Sequence, residues 1–275
     1  MLDEYVTRWR LQVDGDPIVT PRARLLPVRH DGLPAMLKVA TYPAEVIGNA
    51  VLAWWNSDGD DSRSGVARVL LADGAAIVME RAVAPRSLVV YYDEGRFDEA
   101  IAVIVATARS LHAPRATPPP QGLVPLERWF ADLQAAAERG GAGFRASASA
   151  AASLLAEPGE RTVLHGDLHH ENILDFGPRG WRAIDPKAVE GDRYFDYVHH
   201  MFDPDDARVP GLEAILDQVA LTARLAGLEP ERLRRWLLAW AGLAAVWWLE
   251  HGESPEPGLK VAAMLATTFA PDQLA

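Results

Sequence analysis

Two hydrophobic rhythms succeed one another along the chain. In the first third, short apolar runs recur at Ile18-Val19 and at residues 25–29, 35–40, 66–71 and 75–80, separated by Gly, Pro and Asp. That is the pattern of an antiparallel sheet. Residues 45–55 interrupt it, with Val46, Ala50, Ala53 and Trp54 at helical spacing, so one face of a helix can pack on the sheet. Residues 56–65 are polar and rich in Gly, Ser and Asp, which reads as a surface loop.

After Val83-Ala84-Pro85 the period becomes helical. Residues 97–112 repeat Ile101, Ile104, Val105, Ala108 and Leu111, and Pro114 follows as a helix stop. Helices are also expected over 126–138, 146–155, 212–226, 230–249 and 259–269. Pro118-Pro119-Pro120 is a rigid connector. The organisation expected is α+β: a small antiparallel-sheet lobe over 1–82, a hinge near 79–83, and a mainly helical lobe over 83–275.

The densest chemistry lies in His165-Gly166-Asp167-Leu168-His169-His170-Glu171-Asn172 and in Ile184-Asp185-Pro186-Lys187. An Asp precedes an Asn by five residues and a second Asp follows thirteen later, the order of base and metal ligands in protein kinases. Gly177-Pro178-Arg179-Gly180 separates two apolar runs and predicts a β-hairpin with a four-residue loop. Pairing Phe176 with Trp181 sets Asn172 opposite Asp185, where cross-strand Cβ atoms lie roughly 4.5–5.5 Å apart. Both would then face one Mg²⁺ site, leaving Asp167 free to act as a base.

His-Gly-Asp alone is common turn chemistry. The added Asn172, Asp185 and hairpin exceed what a turn needs. His165, His169 and His170 raise a second reading, the His/Asp metal centre of a phosphohydrolase. A zinc pair at i and i+4 needs a helix, which Gly166 disfavours, so these rings are expected to brace the loop. A third reading, a non-catalytic nucleotide-binding module, would not retain both Asp167 and Asp185.

Composition narrows the setting. With 275 residues and 49% hydrophobic content, the chain can bury the cores of two lobes. Without cysteine, neither disulfides nor thiolate-held metals contribute, as suits a reducing cytosol. Met1-Leu2-Asp3-Glu4 lacks the basic start of an export signal, and a cytoplasmic monomer is expected. Residues 236–249 carry no charge but fall short of the ~20 residues of a membrane span, so they predict a buried helix. The net charge of −11 argues against nucleic acid and favours a cationic small molecule.

Lys38, inside Ala35-Met36-Leu37-Lys38-Val39-Ala40, is the only lysine before Lys187. A lone ammonium in an apolar strand is costly without a partner. In the kinase arrangement it reaches the ATP phosphates, and Glu45 on the next helix pairs with it.

These residues, with Leu25-Leu26-Pro27-Val28, Gly48-Asn49, Glu80-Arg81-Ala82, Leu111-His112-Ala113-Pro114-Arg115 and Phe195-Asp196-Tyr197, resemble the aminoglycoside/hydroxyurea antibiotic-resistance kinase family, which includes streptomycin 6-phosphotransferases. The resemblance implies a two-lobed protein-kinase-like fold and transfer of the ATP γ-phosphate to a hydroxyl of an aminoglycoside, hydroxyurea or another small metabolite. It implies Asp167 as base, Asn172 and Asp185 as Mg²⁺ ligands, Lys38 on the phosphates, and the backbone from Glu80 to Ala82 on adenine. With no Gly-x-Gly-x-x-Gly between Asp14 and Arg24, the phosphate cover would be the Thr20-Pro21-Arg22-Ala23-Arg24 turn. Asp196 is expected to hold the catalytic loop. Glu190, Asp192, Asp203, Asp205 and Asp206 are candidates for a rim that attracts a cationic acceptor.

Overall fold

The computed structural model describes residues 1–57, 64–201 and 209–273. In chain order its elements begin α1 (Leu2–Arg8), β1 (Gln12–Val13), β2 (Ile18–Val19), β3 (Ala23–His30), β4 (Leu33–Ala40), α2 (Pro43–Trp55), β5 (Val69–Asp73) and β6 (Ala76–Glu80). Then come α3 (Leu88–Asp93), α4 (Phe97–Leu111), β7 (Val124–Pro125), α5 (Leu126–Glu138), α6 (Arg145–Ala156) and β8 (Arg161–Leu164). The hairpin β9 (Ile173–Asp175) and β10 (Trp181–Ala183) follows, and β11 (Val189–Asp192), α7 (Leu212–Ala226), α8 (Pro230–Glu250) and α9 (Glu256–Ala266) complete the order. The chain forms two compact units, Met1–Leu123 with Val163–Ala188, and Val124–Thr162 with Val189–Ala275.

The first unit is built on an antiparallel sheet ordered β1-β3-β4-β6-β5, with β2 also paired to β3. Alternation along β4 sends Leu37 and Val39 to one face and Lys38 to the other. Leu26, Val28, Ala35, Leu37, Val39, Ala76 and Val78 form the buried face, and Leu2, Tyr5, Val6 and Trp9 of α1 and its C-terminal cap cover it. Lys38 lies opposite Leu25 on β3 and Ile77 on β6, in the middle of the sheet. α2 starts on Pro43, whose missing N–H costs nothing in a first turn. Its Asn49 amide donates to the Ala75 carbonyl at 3.1 Å. The catalytic loop and the β9–β10 hairpin belong to this same unit.

The second unit is mostly helical. The charge-free stretch of α8 is a buried helix, with Trp236, Leu237, Leu238 and Ala239 fully inside. Phe195 sits edge-on to both Phe130 and Trp236, each pair of rings 5.7 Å apart, a favoured geometry for aromatic pairs. β11 pairs in parallel with β7, Val189 opposite Val124. No described helix is long and apolar enough to cross a membrane.

Candidate active site

β8 delivers the chain to a loop that turns at Gly166, whose φ of +79° suits a residue without Cβ. A short 3₁₀ turn over His170–Asn172 then feeds the hairpin. The hairpin register differs by one residue from the expected pairing. Trp181 lies opposite Asp175, and Ala183 opposite Ile173. The reason is local: Phe176 leaves the ladder, the Asp175 side chain accepts from the Gly177 N–H at 3.0 Å, and Phe176 N–H closes on the Gly180 carbonyl at 2.9 Å. Asn172 therefore faces Ile184, whose N–H donates to the Asn172 carbonyl at 2.9 Å. Asp185 is not its cross-strand partner.

Beyond the ladder Asp185 takes a φ of +62°, and Ala188 one of +56°. Left-handed backbone costs an L-residue roughly 1–2 kcal/mol, and His165 holds the bend in place. Its ring Nε2–H donates to the Ile184 carbonyl at 2.8 Å, while its own carbonyl accepts from Lys187 N–H at 2.8 Å.

A chain of ionic contacts follows. Lys38 Nζ lies 2.7 Å from Glu45 Oε2 and also donates to Asp185 Oδ1. Lys187 Nζ lies 2.6 Å from Asp185 Oδ2 and 3.4 Å from Asp167 Oδ2. Asn172 Nδ2 donates to the Asp167 carbonyl at 2.8 Å and to Asp167 Oδ2 at 3.2 Å. Thus Lys38, Glu45, Asp185, Asp167 and Asn172 are brought together. Lys187, for which the sequence predicts no role, links Asp185 to Asp167; its signal is its place two residues past Asp185.

α2 packs close enough for this because residue 48 is glycine. A Cβ there would stand 2.3 Å from the Pro186 carbonyl oxygen. Burial pushes the Asp185 carboxyl up, but the Lys38 and Lys187 charges outweigh it and hold the group far below the usual carboxylate range. Burial pushes Lys187 down, and Asp185 and Asp167 reverse the effect and raise it.

His169 borders the site, with its Nε2 3.7 Å from Asp167 Oδ1. His169 Nε2 accepts from Asn172 Nδ2 at 3.0 Å, and His170 is buried edge-on to Tyr92. Among the described residues, no group of three or more His, Asp or Glu side chains could hold a metal ion.

At the end of β6, Glu80 Oε1 accepts from Arg68 N–H at 2.7 Å and pairs with Arg179 of the hairpin turn. Two residues on, neither the N–H nor the carbonyl of Ala82 has a protein partner among the described residues. In the β2–β3 turn, Arg24 donates to the Thr20 and Ala23 carbonyls of its own turn.

One of the five candidates for an acidic rim, Asp192, has a different place from that expected. Asp192 is buried and accepts from Gly159 N–H and Tyr194 N–H, each at 3.0 Å, from Trp236 Nε1 at 3.3 Å and from Arg232. With its oxygens so engaged it braces the second unit and cannot serve an exposed rim. Glu190 is half-buried on β11, and Asp196 is fully buried. Asp203, Asp205 and Asp206 lie outside the described residues.

Residues 8–252 match the family described as aminoglycoside/hydroxyurea antibiotic resistance kinase. The chain belongs to this family. The kinase is 46% identical over 254 residues to a streptomycin 3''-kinase of Klebsiella pneumoniae, covering 89% of this chain and 91% of that protein. It is 31% identical to a streptomycin 6-kinase of Streptomyces glaucescens, covering 92% and 84%. The crystal structure of a thermostable aminoglycoside phosphotransferase APH(4)-Ia, a ternary complex with ADP and hygromycin B, superposes with a TM-score of 0.67 at 15% identity, covering 98% of each chain. The kinase therefore has the protein-kinase-like fold, with a sheet-bearing N-lobe and a helical C-lobe, and is a small-molecule phosphotransferase.

Proposed function

We propose that this kinase transfers the γ-phosphate of ATP to a hydroxyl of streptomycin, with the 3'' hydroxyl as the first choice. The observation that carries the phosphotransfer reading is the continuous Glu45–Lys38–Asp185–Lys187–Asp167–Asn172 network. The acceptor rests on the 46% identity to a streptomycin 3''-kinase, because shared phosphotransfer machinery alone does not choose a substrate.

Asp167 is the base in this reading. Its carboxylate takes the acceptor hydroxyl proton as that oxygen bonds to the γ-phosphorus and the bond to the β–γ bridging oxygen breaks, giving phosphorylated acceptor and ADP. Glu45 fixes the Lys38 rotamer so that its ammonium meets the phosphates. The free Ala82 N–H and carbonyl offer the adenine edge one donor and one acceptor.

The donor set also fits a magnesium ion. Asp185 is held ionised, its side chain is about one-third exposed, and Asn172 Oδ1 has no hydrogen bond among the described residues. One carboxylate and one amide oxygen, with phosphate and water completing the shell, is the usual Mg²⁺ arrangement. Bound there, the ion would offset negative charge on the phosphate oxygens. The same reading has the protein act as a cytoplasmic monomer on a cationic acceptor.

The test is ADP release by the purified protein with ATP and Mg²⁺ against streptomycin, other aminoglycosides and hydroxyurea, with the site of phosphorylation then assigned by NMR. Streptomycin should give the highest kcat/KM. A higher value for hydroxyurea would overturn the acceptor assignment and leave the phosphotransfer reading standing.

A further inference from the structure

Only three of the chain's 27 basic residues are lysines, Lys38, Lys187 and Lys260. Two of these meet at one carboxylate. Lys38 and Lys187 occupy opposite oxygens of Asp185, with side chains 6% and 21% exposed. Other ion pairs among the described residues use arginine, for example Arg86 with Asp175 and Arg232 with Asp192. Lysine suits the site because its ammonium is a compact charge with rotatable donors, which can contact two non-coplanar carboxylates where a planar guanidinium favours one in a fork.

We propose that Lys187 is a positioning residue for phosphoryl transfer, a built-in cation that ties the base Asp167 to the metal carboxylate Asp185 and shares Asp185 with the metal. The inference rests on the phosphotransfer reading above. Lys187 Nζ lies within 2.6 Å of Asp185 and 3.4 Å of Asp167, and the Lys187 backbone N–H is anchored on the His165 carbonyl. The ammonium is therefore held from two directions, by its carboxylate partners and by the fixed backbone that bears it.

Two consequences have opposite signs. Without Lys187, Asp167 keeps its contacts to Asn172 and His169 but loses the Lys187 ammonium, so the transfer step slows. Without Lys187, Asp185 also loses a cation from Oδ2, so a divalent ion binds it more readily. A residue that served only to stabilise the fold would weaken both functions together.

The experiment compares wild type with Lys187→Met, which keeps length and removes charge, and Lys187→Arg, which keeps charge. Mn²⁺ binding without nucleotide, followed by electron paramagnetic resonance, is read beside kcat and KM. Lys187→Met should lower kcat by about 10²-fold, the scale of losing one well-placed charged donor, with KM for acceptor and ATP changed little. It should bind Mn²⁺ several-fold more tightly. Lys187→Arg should recover part of kcat and return Mn²⁺ affinity toward wild type.

Unchanged kcat in Lys187→Met, or Mn²⁺ binding that is unchanged or weaker, would overturn the proposal. If Lys187→Met unfolds, the Arg variant decides: lowered kcat with near wild-type Mn²⁺ affinity and unchanged KM supports the proposal, while wild-type kcat, or kcat and Mn²⁺ affinity lost together, contradicts it. The metal-binding arm needs no acceptor, so it is read independently of whether streptomycin is the substrate.

Discussion

An ammonium in the middle of a β-sheet is tolerated at Lys38 because two carboxylates face it, Glu45 from α2 and Asp185 from beyond β10. Removing one partner of such a buried pair costs far more than the pair itself contributes. The same logic separates the roles of the two aspartates. Asp167→Asn retains the side-chain size and the Asn172 contact to the main chain, so turnover should fall by about 10²–10⁴ while ATP binding, measured by calorimetry, stays within a few-fold of wild type. Equal loss of ATP affinity would move Asp167 onto the metal. Gly48→Ala should be costly in a different way. Alanine improves helix propensity by ~1 kcal/mol, but its Cβ would overlap the Pro186 carbonyl, and overpacking against backbone costs about 1–3 kcal/mol. The unfolding midpoint should therefore drop and kcat should fall with it; a more stable, fully active variant would contradict the close approach. At this scale Lys38, Glu45, Asp167, Asn172 and Asp185 were legible in the order of residue types. The bridge made by Lys187 was not legible, because such a contact depends on the backbone bends at Asp185 and Ala188, which spacing alone does not encode.

The hairpin shows how an element can be read correctly in kind and still be wrong in register. Gly, Pro and apolar runs identified β9 and β10, yet the side chain of Asp175 draws Phe176 into the turn and shifts the pairing by one. A one-residue shift changes which side chains are opposed, and here the site survives because the bend at Asp185, rather than the ladder, aims the carboxylate. Arg86 fixes that turn through two bonds to Asp175, 2.6 and 2.9 Å. The Arg86 hydrogen bonds, opposed by desolvation, hold Asp175 below its ordinary carboxylate range. A depressed folded pKa contributes stability that is present above the unfolded value, about 3.9, and is lost as pH falls through the folded one. Stability should thus decline as pH drops below about 4, and Asp175→Asn should show a shallower decline over that interval in thermal unfolding. An identical acid limb in the two proteins would remove Asp175 from this role. The long helices were legible because their apolar period runs over many turns. α3 was not, since Leu88-Val89-Val90-Tyr91-Tyr92 has the β-branched and aromatic residues of a strand but only one and a half turns in which to show a helical period.

For the whole molecule, the net charge of −11 sets the long-range field. A polycationic acceptor should be concentrated by that field, so raising ionic strength from low to moderate should increase its KM while leaving kcat nearly constant. Hydroxyurea, uncharged, should show a flat KM, and a flat profile for the best acceptor would remove the electrostatic argument for an aminoglycoside. The sheet and helical regions were visible in the succession of periods, whereas the burial of Asp192 was not: sequence cannot distinguish a solvated carboxylate from one whose partners arrive from residues 159, 232 and 236. The central claim, that Asp167 directs a phosphoryl group onto a small-molecule hydroxyl, is tested most directly by measuring ADP and phosphorylated streptomycin together in one reaction. Wild type should form them in equal amounts and Asp167→Asn should form almost none of either; ADP accumulating without a phosphorylated acceptor, or an Asp167→Asn variant as fast as wild type, would contradict it.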